Sequence, residues 1–345
     1  MRHIAFSENT DVWHRRLPFF LALEEWVARR MPAGDYFFSW QVSPTVICGR
    51  NQEIDKEVNL PYCRENGIDV VRRRSGGGSV FADRENFMFS YITDGDDVQG
   101  EFARYTSMIA GALRELGIAA EATGRNDITI GGKKVSGNAF YHLPGKCIAH
   151  GTMLYNFDPR HLANALTPSK AKLESKGVKS VPMRVTCLSR EGIGLTPSEF
   201  ERYIIDSITD GEPYILTDAD IREVEAIEQG YYDPSFLRIN GAGRTSSVAL
   251  CRDKEHVSRN SILPGMGEYC IEYDLAGEDR RIENMTISGD FFMAGDVESE
   301  ICARLEGVVA AEESLMSALS GVNLPAVLPG MTADVLVSLM VSDQR

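Results

Sequence analysis

The chain has 345 residues, 43% of them hydrophobic and 25% charged, and a net charge of −14. That is enough material for one large domain or two with a substantial core, and the acidic balance argues against nucleic-acid binding, which shows as a basic domain. No apolar run approaches the ~18 residues of a membrane span, and the polar N-terminus, MRHIAFSENTDVWHRR, lacks a signal-peptide core. The seven cysteines stand singly and the six histidines are dispersed without an HExxH pattern. Reduced thiols in a cytoplasmic protein are therefore expected, with no structural zinc site.

In chain order, PFFLALEEWVARRM (18–31) predicts a helix opened by Pro18, with Leu23, Trp26 and Val27 on its apolar face. YFFSW (36–40) and TVICGR (45–50) predict two strands joined by a Pro-containing turn. After the run RRRSGGG, SVFA and NFMFSYIT (86–93) predict further strands, and residues 104–117 keep helical spacing up to Gly117. NDITIGGKKVSG (126–137) predicts a tight hairpin, because Gly131 and Gly132 can both take positive φ. CIAHGTMLYNF (147–157) is the next strand, and Thr196–Pro197–Ser198–Glu199 is a capping box. EYCIEYDL (268–275) and RIENMTIS (281–288) then flank a turn and are followed by two or three helical segments. The irregular alternation of helix and strand points to an α+β or mixed α/β fold. The boundary is placed in 240–262, giving domains 1–245 and 246–345.

The chemistry concentrates in two clusters. Gly76, Gly77 and Gly78 offer backbone N–H groups unobstructed by side chains, next to Arg72, Arg73 and Arg74. An anion-binding turn fits this composition, and so does a flexible surface loop with solvated arginines. A P-loop is excluded because Ser79-Val80 follows the glycines, and a dinucleotide fingerprint is excluded because strands rather than a helix follow. In an extended segment neighbours alternate faces, so Arg73 is expected to point inward and its two neighbours the other way. Downstream lie Arg125, Asn126 and Asp127, then Lys133, Lys134 and Ser136, then His150 and Thr152. An Asp beside a phosphate site is a plausible Mg²⁺ ligand. Asp127 as a turn residue, and the two lysines as a solvated face, are the plainer readings of each alone.

RRRSGGGSVFAD, GRNDI, GKKVSGNAFY and HGTML, in this order and spacing, resemble lipoate–protein ligase A. KGVKSVPMRVTCL (176–188) and LALEEWV (21–27) fit the same family, as do GDFF and the helices after it. The resemblance implies the mixed-sheet catalytic domain of biotin and lipoate ligases, like class II synthetases, with a small α+β accessory domain. It implies an ATP-dependent, AMP-forming ligase that makes lipoyl-adenylate with Mg²⁺. The lipoyl group then passes to a lysine of an acceptor: a lipoyl domain of the 2-oxoacid dehydrogenase complexes or the glycine cleavage H protein. A monomer without nucleic-acid or membrane partners is expected. By the same likeness Lys134 is catalytic. Arg73, Ser75, Gly76, Gly77, Gly78, Ser79, Val80, Phe81, Asn126 and Asp127 hold ATP and the adenylate, with Asp127 on Mg²⁺. Ser136, Gly137, Ala139, His150, Gly151 and Thr152 line the lipoate pocket.

Two positions depart from the family pattern: Ala82 stands where relatives carry His, and Phe20 where they carry Asn. Loss of that His is expected to remove a polar group from the periphery of the site. An octanoyl or lipoyl transferase of the same superfamily is the rival reading. It needs a nucleophilic cysteine just before the hairpin, and EATGRNDI has none. A non-catalytic lipoate-binding regulator is the rival of another class.

Overall fold

In the computed structural model, residues 1–123, 126–167, 184–238 and 254–341 are described. They divide into two units. The first holds residues 1–48, 54–73 and those described between 79 and 238; the second holds 49–53, 74–78 and those from 254 onward.

The first unit is built on an eight-stranded mixed sheet and a three-stranded one. The strands are β1 (Arg2–Ala5), β2 (Tyr36–Trp40), β3 (Thr45–Cys48), β4 (Asp69–Arg72), β5 (Val80–Ala82), β6 (Asn86–Asp94), β7 (Ala120–Ala122), β8 (Asp127–Ile130), β9 (Lys133–Leu143), β10 (Lys146–Leu154) and β11 (Tyr214–Ile215). The large sheet runs β11-β1-β2-β6-β10-β9-β8-β7 and the small one β4-β3-β5. The strands over 36–40 and 45–50 therefore lie in different sheets.

Side-chain alternation assigns the faces of the large sheet. Register pairs Trp40, Met88, Thr152 and Gly137 across four strands, and Phe38, Ser90, His150 and Ala139 beside them. This face packs on helix α1 (Leu17–Arg30), which Pro18 opens as expected. It forms one apolar cluster with Ile47, Val71 and Ala82 of the small sheet. The opposite face, with Phe87, Phe89, Tyr91 and Phe140, meets ring systems of the helices Val98–Glu115 and Pro197–Ile208. The first of these begins at Val98, earlier than its apolar spacing indicates, because Asp97 caps it by accepting from the Gly100 N–H. The expected capping box closes on Thr196 and Glu199.

The second unit contains a three-stranded antiparallel sheet of β12 (Lys254–Leu263), β13 (Gly267–Ala276) and β14 (Arg281–Phe291). Residues 254–262, inside the stretch where the domain boundary was placed, belong to the first of these strands. One face buries Val257, Ile271, Tyr273 and Ile287 under short helices, of which Glu312–Leu319 and Ala333–Val341 are the longer. Among the described residues, no helix is long and apolar enough to cross a membrane.

Candidate active site

The β8–β9 hairpin turns on Gly131 and Gly132, with φ of +55° and +76°, as their sequence requires. Its register slips between Ile128 and Thr129, where Val135 is the extra residue. The bulge has a chemical consequence. Lys134 and Gly137 are three residues apart, so a regular strand would send their side chains to opposite faces. Here the Lys134 ammonium lies over Gly137 instead. A Cβ at Gly137 would sit 2.4 Å from Lys134 Nζ, and its φ is not left-handed, so this glycine is needed for room.

Lys134 Nζ is 2.7 Å from Asp127 Oδ1, and Arg184 Nη2 donates a short hydrogen bond to Asp127 Oδ2. Asp127 is 7% exposed. The segment after Arg184 is tied to the same place: Val185 bridges Lys134, and the Thr186 N–H donates to the Lys134 carbonyl at 2.8 Å. Both carboxylate oxygens of Asp127 thus face cations, and each oxygen keeps a second lone pair.

The residues read as a lipoate pocket divide between two faces. Gly137, Ala139, His150 and Thr152 share the α1 face with Lys134, and the Thr152 hydroxyl donates to the Gly137 carbonyl at 3.3 Å. Ser136 and Gly151 lie on the other face, because alternation puts them there. There the Ser136 hydroxyl donates to Asn138 Oδ1, and a Cβ on Gly151 would strike the same oxygen. Asn138 in turn donates to the Asn126 carbonyl at 3.0 Å. Ser136 and Gly151 therefore support the Asn126–Asp127 strand start from behind. Arg125 and residues 176–183 lie outside the described residues.

His150 makes the main contact that sequence reading missed. Its Nδ1 is 2.9 Å from both oxygens of Glu24, whose Oε1 accepts from Ser90 Oγ at 2.6 Å. Ser90 Oγ also accepts from Trp40 Nε1 at 2.8 Å. All four residues are buried, so a polar chain runs through an apolar core and satisfies itself there. A sequence signal existed: Glu24 and Glu25 interrupt an otherwise apolar helical stretch, FFLALEEWV. Beside this chain Phe20 stacks on Trp40, with ring centroids 4.9 Å apart. Ala82 is fully buried in the same apolar cluster. The His-to-Ala departure therefore falls in the core, where an unpaired polar group would be costly.

Arg73 is not the one buried member of the arginine run. Arg72 and Arg73 are both buried, at 1% and 6% exposure. Arg73 Nη1 donates to the Ile47 carbonyl at 3.1 Å, and Arg72 Nε and Nη2 both donate to the Leu237 carbonyl. Burial pulls the Arg72 guanidinium down to about 10. Val80 faces the main cluster, whereas Phe81 points into a separate one with Val46 and Cys48. Ser79 hydrogen-bonds Cys48.

In the second unit, Ser75 is fully buried and its carbonyl accepts from the Arg50 N–H at 2.9 Å. Gly77 has φ of +86° and donates its N–H to the Phe291 carbonyl at 2.8 Å. A Cβ at Gly76 would come within 2.3 Å of that carbonyl, and one at Gly78 within 2.9 Å of Asp290. Close packing against β14 is thus one physical reason for these glycines.

Residues 18–209 match the family model of the lipoyl protein ligase A/B catalytic domain, and residues 268–340 match the bacterial lipoate protein ligase C-terminus. Lipoate–protein ligase 1 of Staphylococcus aureus is 36% identical over 311 residues, covering 88% of this chain and 90% of its own length. Among solved structures, LipL1 of P. falciparum in complex with lipoate superposes with a TM-score of 0.74 at 20% identity, covering 97% of each chain. Lipoate–protein ligase A bound with ATP does so with 0.55 at 22% identity, covering 68% of this chain and 95% of its own. Both structures share the mixed-sheet fold. With a catalytic-domain match across more than half its length and a curated relative aligned nearly end to end, the chain belongs to the lipoate–protein ligase family and is a ligase.

Proposed function

We propose that this ligase activates lipoate with ATP and passes the lipoyl group to a lysine amine of a lipoyl domain. A lipoate carboxylate oxygen attacks the α-phosphorus of ATP, and the bond to the β-phosphate oxygen breaks, releasing pyrophosphate. The acceptor amine then attacks the lipoyl carbonyl of the mixed anhydride, loses a proton, and displaces AMP. The first step brings two anions together, so it needs cations aimed at the reacting oxygens. The observation that carries this reading is the Lys134 ammonium held over Gly137 by Asp127. The relatives solved with lipoate and with ATP support the choice of both substrates. Mg²⁺ enters on this reading as part of the MgATP substrate. Arg73, the Gly76–Gly78 turn and the backbone through Ser79, Val80 and Phe81 are proposed to hold the nucleotide. Gly137, Ala139, His150 and Thr152 are proposed to line the lipoate side.

The transferase reading needs a reactive thiol; Cys48 and Cys147 are buried, and desolvation pushes both thiols up to about 11. Lipoate-dependent ATP–pyrophosphate exchange tests the ligase reading. Wild-type protein should exchange, and Lys134→Ala should lose roughly 10²–10³ in rate. Exchange by Lys134→Ala at the wild-type rate would remove Lys134 from the chemistry.

A further inference from the structure

We infer that Arg184 is a positioning residue that keeps the Lys134 ammonium from being neutralised by Asp127. The inference deepens the adenylation reading and rests on it for the identity of the reacting anions. Asp127 divides its carboxylate, Oδ1 to Lys134 and Oδ2 to Arg184. One negative charge between two positive ones leaves the cluster with a net charge of +1. Lys134 and Asp127 alone would form a neutral pair with little field left for a carboxylate meeting a phosphate. Arg184 therefore lets one carboxylate orient the lysine without cancelling its charge.

Three further observations make this arrangement specific. Asp127 is buried, so the charges interact more strongly than surface ions do. The backbone of residues 185 and 186 is hydrogen-bonded or bridged to Lys134, so Arg184 enters from a strand-like segment fixed beside its target. The bulge at Val135 aims Lys134 at the same carboxylate. Arg184 also fits the divided carboxylate better than lysine would, because its donors are rigid and planar.

Two measurements on the full chain separate this inference from the reading beneath it. The first is pyrophosphate exchange by wild type, Arg184→Gln and Arg184→Lys, with saturation curves for ATP and lipoate. Arg184→Gln should lower kcat about tenfold while both KM values stay within about twofold. This is the pattern of an interaction that matters mainly in the transition state. Arg184→Lys should recover most of that loss, since it restores the charge. The second is the rate at which an amine-acetylating reagent labels Lys134, followed by peptide mass spectrometry. With Arg184 gone, Lys134 has a whole carboxylate to itself and should be labelled several-fold more slowly. The double variant Asp127→Asn/Arg184→Gln should be labelled faster than Arg184→Gln. A merely structural Arg184 would loosen the site on removal and speed labelling of the single variant. Faster or unchanged labelling in Arg184→Gln overturns the inference whatever the activity. Slower labelling in a protein that never exchanges pyrophosphate keeps the charge arrangement and overturns the adenylation reading.

Discussion

On the α1 face of the large sheet, Glu24 and His150 are buried beside Trp40 and Ser90, and Asp127 is buried on the same face by register. On the helix-facing side of the C-terminal sheet, Val257, Ile271, Tyr273, Leu275 and Ile287 meet helices, and no charged side chain described beyond residue 253 is buried. Both cores pack one face of a sheet on helices. They differ in what they enclose. Burying a carboxyl group costs several kcal/mol unless partners surround it, so a fold spends apolar packing to hold one. The first unit buries the charged side chains Glu24, Glu25, Arg72, Arg73 and Asp127, and among the described residues beyond 253 no such side chain is buried.

The largest effect expected from this contrast is on stability. His150→Ala leaves the Glu24 carboxyl group with the Ser90 hydroxyl as hydrogen-bond partner and opens a cavity. Breaking a buried pair in this way costs about 3–5 kcal/mol, which urea unfolding would read as a lower midpoint. Replacing both members by apolar residues, Glu24→Leu with His150→Phe, should restore much of that stability while abolishing exchange. If His150→Ala unfolds within about 1 kcal/mol of wild type, the buried pair is not what distinguishes this core.

A somewhat smaller effect, on rate rather than stability, is expected at Gly137. Its Cβ would occupy the place of Lys134 Nζ and Cε, at 2.4 and 2.5 Å. The lysine must move, and a displaced charge-stabilising donor costs roughly a hundredfold in kcat. The melting curve should change little, because the flexible end of Lys134 gives way and the backbone does not. Pyrophosphate exchange beside thermal unfolding separates the two. A Gly137→Ala protein with wild-type kcat would show that Lys134 has room to act from elsewhere.

How much of this was legible in the sequence follows from the range of each interaction. The hairpin over 126–137 was legible because two adjacent glycines specify its turn locally. Asp127 and Lys134 both stood out in the sequence, but their ion pair was not legible there, because the resemblance assigned Asp127 to Mg²⁺. The Glu24–His150 pair was not legible either, because its members are 126 positions apart and each alone resembles an ordinary polar residue. The division of Ser136 and Gly151 from Gly137 and His150 follows from strict alternation, yet the grouping by motif concealed it. The Val135 bulge breaks that alternation at the lysine, and nothing in KKVSG announces it. The boundary stretch 240–262 was placed on its small and polar composition, and pairing with β13 makes residues 254–262 part of a strand. The burial of Arg72 was hidden because its acceptor, the Leu237 carbonyl, is supplied from 165 positions away.

The smallest effect tests the other side of the contrast. Ile271 is 1% exposed in the C-terminal sheet and belongs to its apolar cluster, with Arg259 opposite it on β12. Ile271→Val removes one methyl group and leaves no unpaired polar atom, so it should cost about 0.5–1.5 kcal/mol, transfer and cavity together. The loss should appear in unfolding and leave the exchange rate per folded molecule unchanged, since no charge or donor moves. A conservative change of the same size beside the buried charges, Ile148→Val on β10, should cost a similar amount of stability but also slow exchange. Ile148 is on the strand that carries His150, two residues away on the same face, so a void there loosens the Glu24–His150 contact as well as the packing. Equal kinetic silence at both positions would show that the two cores tolerate small voids alike, and that the buried charges are held by their hydrogen bonds without help from the apolar packing around them.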